Sequence, residues 1–501
     1  MAQVDEKPAI HSSSRGMVDT EKATTVHGSP EESQLDFLDD PDEGLSEEER
    51  AKIDRALLWK LDLRLIPWLS LLYLISFLDR TNVGNAKLAG LQGDLHMSNS
   101  QYNDSLTIFF VSYAIFEPIT NVLLKRWRPS VFIPIIMVVW VRWFLGLAEA
   151  GLFPGVGYFL SCWYKRSEFG VRMAIFFSAA ALAGSFGGLL AAAIALMDGI
   201  GGKAGWSWIF ILEGLLTIVI GVLSVWMVYD FPDQAKFLSE ADRKRVLRRL
   251  AADKQASAGY EKFEMTYFWS SLKDWKTYLN AIIYMGSCMP LYAFSLFTPT
   301  IINELVCPLH VDYSYTAIQA QLLSVPPYAA AAIVTVAIGF IADRTGQRGI
   351  CNIAVSLLGI AGFSLLLGAN SAGARYAGVF LGAMGIYPAI SNTISWASNN
   401  AEGVYKRGVT LGIVIGWGNL NGVVSSNIYR GGDAPQYYPG HGAVLAYLVL
   451  FLFGGSLVQY VLLRRENAKR RRGDRDHWIA GLERQEIEKL GDKRPDFIYT
   501  L

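Results

Sequence analysis

The chain has 501 residues, of which 52% are hydrophobic and only 18% are charged, and Lys+Arg and Asp+Glu balance at 45 each. Because a soluble globular chain is about 25% charged, this composition excludes one large water-soluble protein and predicts a polytopic membrane protein. The charge balance gives no sign of a nucleic-acid partner, and four cysteines without CxxC spacing indicate neither a zinc site nor a disulfide framework.

The first part of the chain, residues 1–55, is rich in Ser, Pro, Asp and Glu. With so few apolar residues it predicts a disordered acidic tail. Ser46 followed by Glu49 has the spacing of a helix capping box, so a helix should begin there and lead into Trp59. The first apolar run lies too far from Met1 to belong to a secretory signal peptide.

Long apolar runs follow, and a membrane-spanning helix needs about 20 apolar residues. Ten runs have that length. An eleventh, 131–163, would form roughly 50 Å of helix, too long for one crossing of a ~30 Å hydrocarbon core and too short for two. The ten regular runs are 61–80, 102–124, 171–197, 206–229, 277–302, 317–341, 350–370, 375–398, 409–428 and 443–463.

A polar stretch divides these runs into two groups. The sequence therefore predicts an all-α fold with an N-terminal helix bundle at 56–230, a central loop at 231–276, a C-terminal helix bundle at 277–463 and a basic tail at 464–501. Positive charges should face the cytoplasm, which puts both termini there and requires an even number of crossings. The positive clusters are Lys125 to Arg128, Lys165-Arg166, Arg243 to Arg249, Arg344 with Arg348, Lys406-Arg407 and the stretch after Arg464.

The two halves resemble each other, with Asn121 to Arg126 matching Gly339 to Arg344, and Trp163 to Arg166 matching Val404 to Arg407. Weak internal repeats around a central loop are typical of secondary transporters. From Gly339 to Tyr405 there are 66 residues, but from Asn121 to Tyr164 only 43. The shortfall is about one membrane crossing, so we interpret the third and fourth helices as truncated, by a gene-model error or a natural deletion. One overlong helix is the alternative.

Charged residues inside apolar runs are costly in hydrocarbon and usually face a cavity or a partner. Asp79 and Arg80 end the first run, while Arg142 and Glu149 are seven residues apart and would share one helix face. A buried arginine can bind a carboxylate through two hydrogen bonds, and a buried carboxyl group can take and release a proton. These four residues predict sites for an anion and a proton; structural ion pairing is the alternative. Glu213 fits a structural role better.

Two further groups complete the set of candidates. Gly339 to Arg348 is a short Asp-, Gly- and Arg-containing loop between two runs, in which Asp343, Arg344, Gly346 and Arg348 would form a cytoplasmic gate against a neighbouring helix end. Other polar or aromatic side chains within the runs are weaker candidates for lining a cavity, because each is more often a packing residue. Those assigned to substrate binding beside Arg142 and Arg80 are Tyr113, Tyr292, Asn392 and Asn419.

Several short motifs carry a family resemblance. They are Leu78 to Ala86, Phe116-Glu117-Pro118, Asn121 to Ser130, Gly146 to Gly155, Trp163 to Arg166 and Trp208 to Gly214. With them the chain resembles the major facilitator superfamily, and within it the fungal anion:cation symporter (allantoate permease) branch, nicotinic acid permeases in particular. The resemblance implies twelve helices and proton-coupled uptake by alternating access. It also implies that Asp79 with Arg80, and Arg142 with Glu149, are the anion and proton sites.

The predicted function is proton-coupled uptake of a small organic anion such as nicotinate or allantoate, by a monomer in the plasma membrane. The partners are the anionic solute, protons and the lipid bilayer. No phosphate loop, zinc spacing or nucleophile elbow is present, so neither an enzyme nor a cofactor is predicted. Two alternatives remain, a metabolite exporter of the same fold and a transport-defective product of a truncated gene.

Overall fold

The computed structural model describes residues 40–126, 129–130, 132–133, 151–252, 265–304, 317–482, 486–487 and 490–501. All regular secondary structure in these ranges is helical, which confirms the predicted fold class. The helices are α1 (Glu47–Leu88), α2 (Leu91–Asp94), α3 (Asn99–Arg126), α4 (Leu152–Ser161), α5 (Arg166–Ile194), α6 (Gly205–Met227), α7 (Glu240–Ala252), α8 (Met265–Leu272), α9 (Trp275–Asn303), α10 (Ala317–Thr345), α11 (Arg348–Gly368), α12 (Ala372–Asn399), α13 (Val404–Ser425), α14 (Tyr438–Tyr447) and α15 (Gly454–Arg471), the last two joined by the π-helical segment Leu448–Phe453.

Nine helices in the described ranges are long and apolar enough to cross a membrane. They coincide with nine of the ten regular apolar runs. The remaining regular run, 102–124, forms α3, which is 28 residues long but is not among the nine. Most of the abnormal run 131–163 lies outside the described residues, and its described end contains the ten-residue helix α4. The truncation of this region therefore stays a prediction.

The first helix begins where its capping signal predicts. The backbone N–H of Glu49 donates to Ser46 Oγ at 3.4 Å, and the backbone N–H of Ser46 donates to Glu49 Oε2 at 3.0 Å. This pair of bonds satisfies amide groups that a helix N-terminus otherwise leaves without partners. Helix α1 therefore starts before residue 56. Residues 1–39 lie outside the described part, so the disordered acidic tail stays a prediction.

The helix ends collect at two faces of the bundle. One face, called here the basic end, contains the starts of α5 and α9 and the loop between α10 and α11. There the backbone N–H of Val171 donates to Asp343 Oδ2 at 2.6 Å, and Lys276 Nζ donates to the Asn400 carbonyl at 3.2 Å. At the opposite end, the Thr107 and Ser426 hydroxyl oxygens are 3.0 Å apart. Which side of the membrane each end faces stays a prediction.

The two halves meet through helices that approach closely at small residues. Helix α5 packs against α10, α1 against α9, and α3 against α13. A Cβ atom on Gly84 would lie 2.5 Å from the Leu296 carbonyl oxygen, and one on Gly188 would lie 2.6 Å from the Gln321 carbonyl oxygen. Only glycine permits such approach of two backbones, which is the usual role of small residues in membrane helix packing.

Part of the C-terminal segment packs against the C-terminal bundle. Asp492 pairs with Lys276 and Lys406 at the basic end, and Tyr499 accepts cation–π contacts from Lys276 and Arg470. The Trp396 indole N–H donates to the Thr500 carbonyl at 2.9 Å. The predicted tail at 464–501 therefore contains a folded part whose aromatic and acidic side chains are buried against the C-terminal bundle.

Candidate functional site

The guanidinium of Arg80 lies between the two halves. Arg80 is on α1 and only 6% exposed, because residues of α9 cover it from the other half. Four aromatic rings surround it, with Arg80 Cζ at 5.3 to 5.4 Å from each ring centroid, a distance at which the ring faces attract a cation. The rings belong to Phe77, Phe109, Tyr113 and Tyr292.

A hydrogen-bond chain continues from Arg80 into the C-terminal half. Arg80 Nη1 donates to the Tyr292 hydroxyl at 3.2 Å, and that hydroxyl donates to Asn419 Oδ1 at 2.6 Å. All three side chains are buried. The structure therefore brings together four of the predicted substrate-binding residues, Arg80, Tyr113, Tyr292 and Asn419, from α1, α3, α9 and α13. We call these four residues and the rings of Phe77 and Phe109 the Arg80 cluster.

Asp79 points away from the Arg80 cluster. Adjacent residues on a helix are turned by about 100°, so Arg80 faces the C-terminal half while Asp79 faces α6. There Asp79 Oδ2 accepts a hydrogen bond from Thr217 Oγ1 at 3.2 Å. The anion and proton candidates of this helix are therefore neighbours in sequence but belong to two different environments.

One other predicted binding residue, Asn392, lies elsewhere. Asn392 is not in the Arg80 cluster: its Nδ2 donates to the Arg348 carbonyl at 2.8 Å and to Asn352 Oδ1 at 2.7 Å, near the basic end. The sequence could not show this, because a 28-residue helix such as α12 offers no sign of the depth at which a polar residue lies. Arg142 and Glu149 lie outside the described residues, so their roles stay predictions.

The predicted gating loop is packed against the start of α5. Asp343 accepts from the Val171 N–H near the positive end of that helix and also pairs with the guanidinium of Arg348. Gly346 has a φ of +65°, a conformation that glycine adopts without strain. Gly170 lies directly beneath this pair, where a Cβ atom would collide with both Asp343 and Arg348. Arg344 is exposed.

Sequence reasoning missed two rings of the Arg80 cluster. Phe77 and Phe109 surround Arg80, and their spacing from Arg80 and Tyr113, about one helical turn, is a signal that could have identified them. Glu213 is 3% exposed and accepts a hydrogen bond from Asn82 beside Asp79, and its structural role stays a prediction. No group of three or more potential metal ligands occurs within the described ranges.

The arrangement can bind an anion without any bound cofactor. A guanidinium offers five N–H donors in a planar fork that matches a carboxylate. Here it lies in apolar, aromatic surroundings, where a charge–charge attraction is stronger than in water. Because the cluster takes residues from both halves, a bound solute would contact both of them.

Comparison with known proteins agrees with this architecture. Residues 130–426 match the Major Facilitator Superfamily. The chain is 34% identical to the MFS-type transporter cnsO of Penicillium expansum, over 100% of both chains. It is 31% identical to the high-affinity nicotinic acid transporter of Saccharomyces cerevisiae, covering 89% of this chain and 85% of that one.

A solved structure has the same fold. It is a bacterial homolog of the human lysosomal transporter Spinster, in an inward-facing and occupied conformation; it aligns with a TM-score of 0.51 and 15% identity, over 80% of this chain and 96% of that one. The membrane-length helices, the site between two halves and these matches lead to one conclusion: the chain is a multi-pass membrane protein that belongs to the Major Facilitator Superfamily of transporters.

Proposed function

We propose that this chain is a proton-coupled importer of small organic anions, of the fungal anion:cation symporter branch, and that it prefers a planar carboxylate such as nicotinate. The observation that carries the proposal is the Arg80 cluster. It combines a buried guanidinium, four aromatic rings and an amide at the junction of the two halves. The relative named as a nicotinic acid transporter supports the choice of solute.

The rings around Arg80 support a planar solute over a non-planar one. A carboxylate paired with the guanidinium would bring the rest of the solute among the rings of Phe109, Tyr113 and Tyr292. An aromatic carboxylate can stack on these rings. Allantoate carries two ureido groups, and burying them here without hydrogen-bond partners would cost free energy. Nicotinate is therefore expected to bind more tightly than allantoate.

The transport cycle combines this site with the predicted proton sites. Asp79 or Glu149 takes a proton, the solute carboxylate pairs with Arg80 and Arg142, and the neutralised site lets the two halves rock about it. In this proposal the basic end faces the cytoplasm, the Asp343–Arg348 loop holds that end closed, and a monomer in the plasma membrane is sufficient.

Uptake measurements in a yeast strain without its own nicotinate and allantoate permeases test the proposal. Cells that express the chain should take up radiolabelled nicotinate faster in acidic than in neutral medium, and a protonophore should abolish the difference. Unlabelled benzoate should compete more strongly than an aliphatic carboxylate of similar size. Uptake no higher than in cells with an empty vector would contradict the proposal, and faster loss of preloaded nicotinate would identify an exporter instead.

A further inference from the structure

The segment 490–501 lies at the basic end, and paired hydrogen bonds attach its backbone to the C-terminal half. Asn467 of α15 donates to the Tyr499 carbonyl at 2.8 Å and accepts from the Tyr499 N–H at 2.9 Å. Asn400, which follows α12, donates to the Thr500 carbonyl at 3.0 Å and accepts from the Thr500 N–H at 2.8 Å. Each amide side chain thus binds both polar groups of one backbone unit, which fixes the segment in register on this half.

Buried charges strengthen this attachment. Asp492 pairs with Lys276 near the start of α9 and with Lys406 near the start of α13. The guanidinium of Arg470, on α15, donates to three backbone carbonyl groups of the segment. Hydrogen bonds to charged groups are stronger than neutral ones. The segment should therefore move together with the C-terminal half as one body.

One side chain of the segment contacts the other half. Phe497 is 5% exposed, and Arg166 Cζ lies over its ring, 4.9 Å from the centroid. Arg166 is the first residue of α5 and so belongs to the N-terminal half. A guanidinium at this distance from a ring face is attracted to it, and more strongly where water is excluded. The contact therefore joins the two halves through a segment that is attached to the C-terminal half.

These contacts follow the internal repeat of the sequence. Tyr164-Lys165-Arg166 in the N-terminal half matches Tyr405-Lys406-Arg407 in the C-terminal half. The segment binds the lysine of the second copy through Asp492 and the arginine of the first copy through Phe497. Breaking a buried ion pair costs more than losing a cation–π contact. When the halves separate, the contact with the first copy should therefore break while the ion pair stays intact.

The segment also borders the predicted gating loop. The Gly349 N–H, directly after Arg348 of that loop, donates to the Leu501 carbonyl at 3.2 Å. Asp343 of the same loop accepts from the Val171 N–H, which lies five residues beyond Arg166 on α5. The ring contact and the loop contact thus join the same two parts of the molecule side by side. Opening of the basic end has to separate both.

We propose that the segment 490–501 is a conformational latch, in which Phe497 holds Arg166 while the basic end is closed and releases it when that end opens. The inference rests on the movement of the two halves in the proposed function, but not on the identity of the solute. The latch lowers the population of the state that is open at the basic end. A change that removes the ring contact should raise that population, because the closed state alone loses an interaction.

Spin labels on the two halves measure this opening in purified full-length protein without any solute. The labels are attached to Ala56→Cys on α1 and Ala468→Cys on α15, two exposed positions at the basic end, after replacement of the four native cysteines by alanine. Pulsed electron resonance then gives the distribution of distances between the labels, in which the longer distance marks the open state. Phe497→Leu keeps an apolar side chain but removes the ring, and it should raise the ratio of open to closed protein about threefold or more.

Phe497→Tyr is the matched control, because it keeps a ring for the guanidinium and should give the wild-type distribution. Arg166→Gln removes the other partner and should also raise the open population. Phe497→Leu should add nothing further in the Arg166→Gln background, because the two changes remove the same contact. This double-variant comparison separates a latch from a general loosening of the segment.

An unchanged distance distribution in Phe497→Leu would overturn the latch. An effect of Phe497→Leu that persists in full in the Arg166→Gln background would overturn it as well, since the ring would then act without the guanidinium. Nicotinate uptake by the same variants is measured separately. A wild type that does not take up nicotinate would contradict the proposed function, whereas the distances between the labels would still decide whether the latch exists.

Discussion

Two adjacent residues, Asp79 and Arg80, carry the anion and proton chemistry that we propose for this protein. The helix turns them to different sides, so the guanidinium joins residues of the other half while the carboxyl group stays within its own half. Tyr292 is the direct link between the halves at this point, because its hydroxyl accepts from Arg80 and donates to Asn419. Removing that hydroxyl tests the link without removing a charge.

Tyr292→Phe is expected to weaken the apparent affinity for nicotinate. A hydrogen bond to a charged group contributes about 1.5–3 kcal/mol, so KM should rise roughly tenfold or more. The measurement is the concentration dependence of uptake at matched protein levels. The control is Tyr429→Phe, which removes a buried hydroxyl that lies 2.9 Å from His441 Nδ1 and does not belong to the Arg80 cluster. Equal KM values for Tyr292→Phe and wild type would contradict the assigned role.

At this scale the sequence predicted much of the site. Placing a charge in hydrocarbon costs free energy, so charged residues in apolar runs are rare. Asp79 and Arg80 could therefore be identified as candidates from the sequence alone. The depth of a residue along its helix depends on how the helices pack, which the sequence does not show. Asn392 is therefore predicted to line the same cavity as Arg80, whereas the structure places it beside Arg348. Phe77 and Phe109 could have been identified as well, because each is about one helical turn from a predicted site residue, Arg80 and Tyr113 respectively.

Among the elements, the gating loop depends on a close approach to α5. The Asp343–Arg348 pair lies directly on Gly170, and the Val171 N–H donates to Asp343 at 2.6 Å. The predicted contact between this loop and a helix end is thus present as geometry, while its role as a gate is part of our proposal. The free cysteine Cys351, three residues after Arg348 and buried, lies close enough to report on the loop.

Gly170→Ala is expected to displace the loop, because the added methyl group would overlap Asp343 and Arg348. Overpacking of this kind costs about 1–3 kcal/mol, so alkylation of Cys351 by a membrane-permeant maleimide should become roughly tenfold faster. Gly368→Ala is the matched control, because nothing lies within 4 Å of its added Cβ atom. An unchanged alkylation rate in Gly170→Ala would show that the loop does not depend on this contact.

The C-terminal segment is a second element whose stability rests on buried charges. Burial alone would raise the pKa of Asp492, but the ammonium groups of Lys276 and Lys406 outweigh that effect and hold the pKa below its ordinary value. A lowered pKa means that the stabilisation is complete at neutral pH and is lost only as the pH falls through that lowered value. Protease resistance of the segment should therefore be constant through mildly acidic pH.

Asp492→Asn leaves Lys276 and Lys406 with Asp274 as their remaining described acidic partner. Breaking a buried ion pair by removing one member costs about 3–5 kcal/mol, so the segment should become sensitive to protease and the thermal transition should shift downward. Asp496→Asn is the control within the same segment, since its partner contact is at the surface and contributes about 0–1 kcal/mol. Equal protease resistance of the two variants would contradict the proposed packing energy.

For the whole molecule, the central question is whether the two halves move against each other. They contact at both ends, through Asp343 with α5 at the basic end and through Thr107 with Ser426 at the opposite end. Transport by alternating access requires each set of contacts to open in turn. Of the ten regular apolar runs in the sequence, nine form membrane-length helices in the described ranges, in the predicted order, because apolar length is a local property. The pairing of α5 with α10 and the folded C-terminal segment depend on distant residues and were not predictable.

A cross-link at the opposite end should therefore stop transport. The Thr107 and Ser426 hydroxyl oxygens are 3.0 Å apart, so cysteines at both positions lie within reach of a disulfide. Thr107→Cys with Ser426→Cys should lose uptake after mild oxidation and regain it after reduction, while each single variant should be insensitive to the oxidant. Full uptake by the cross-linked protein would exclude opening at this point.

Equilibrium binding of radiolabelled nicotinate to purified protein, wild type against Arg80→Lys, tests the central claim most directly. Lysine keeps the positive charge but lacks the planar fork that pairs with a carboxylate. We expect saturable binding to the wild type and at least about tenfold weaker binding to a folded Arg80→Lys variant, a difference of ~1.4 kcal/mol. Equal affinities of the two proteins would contradict the assignment of Arg80 as the anion site.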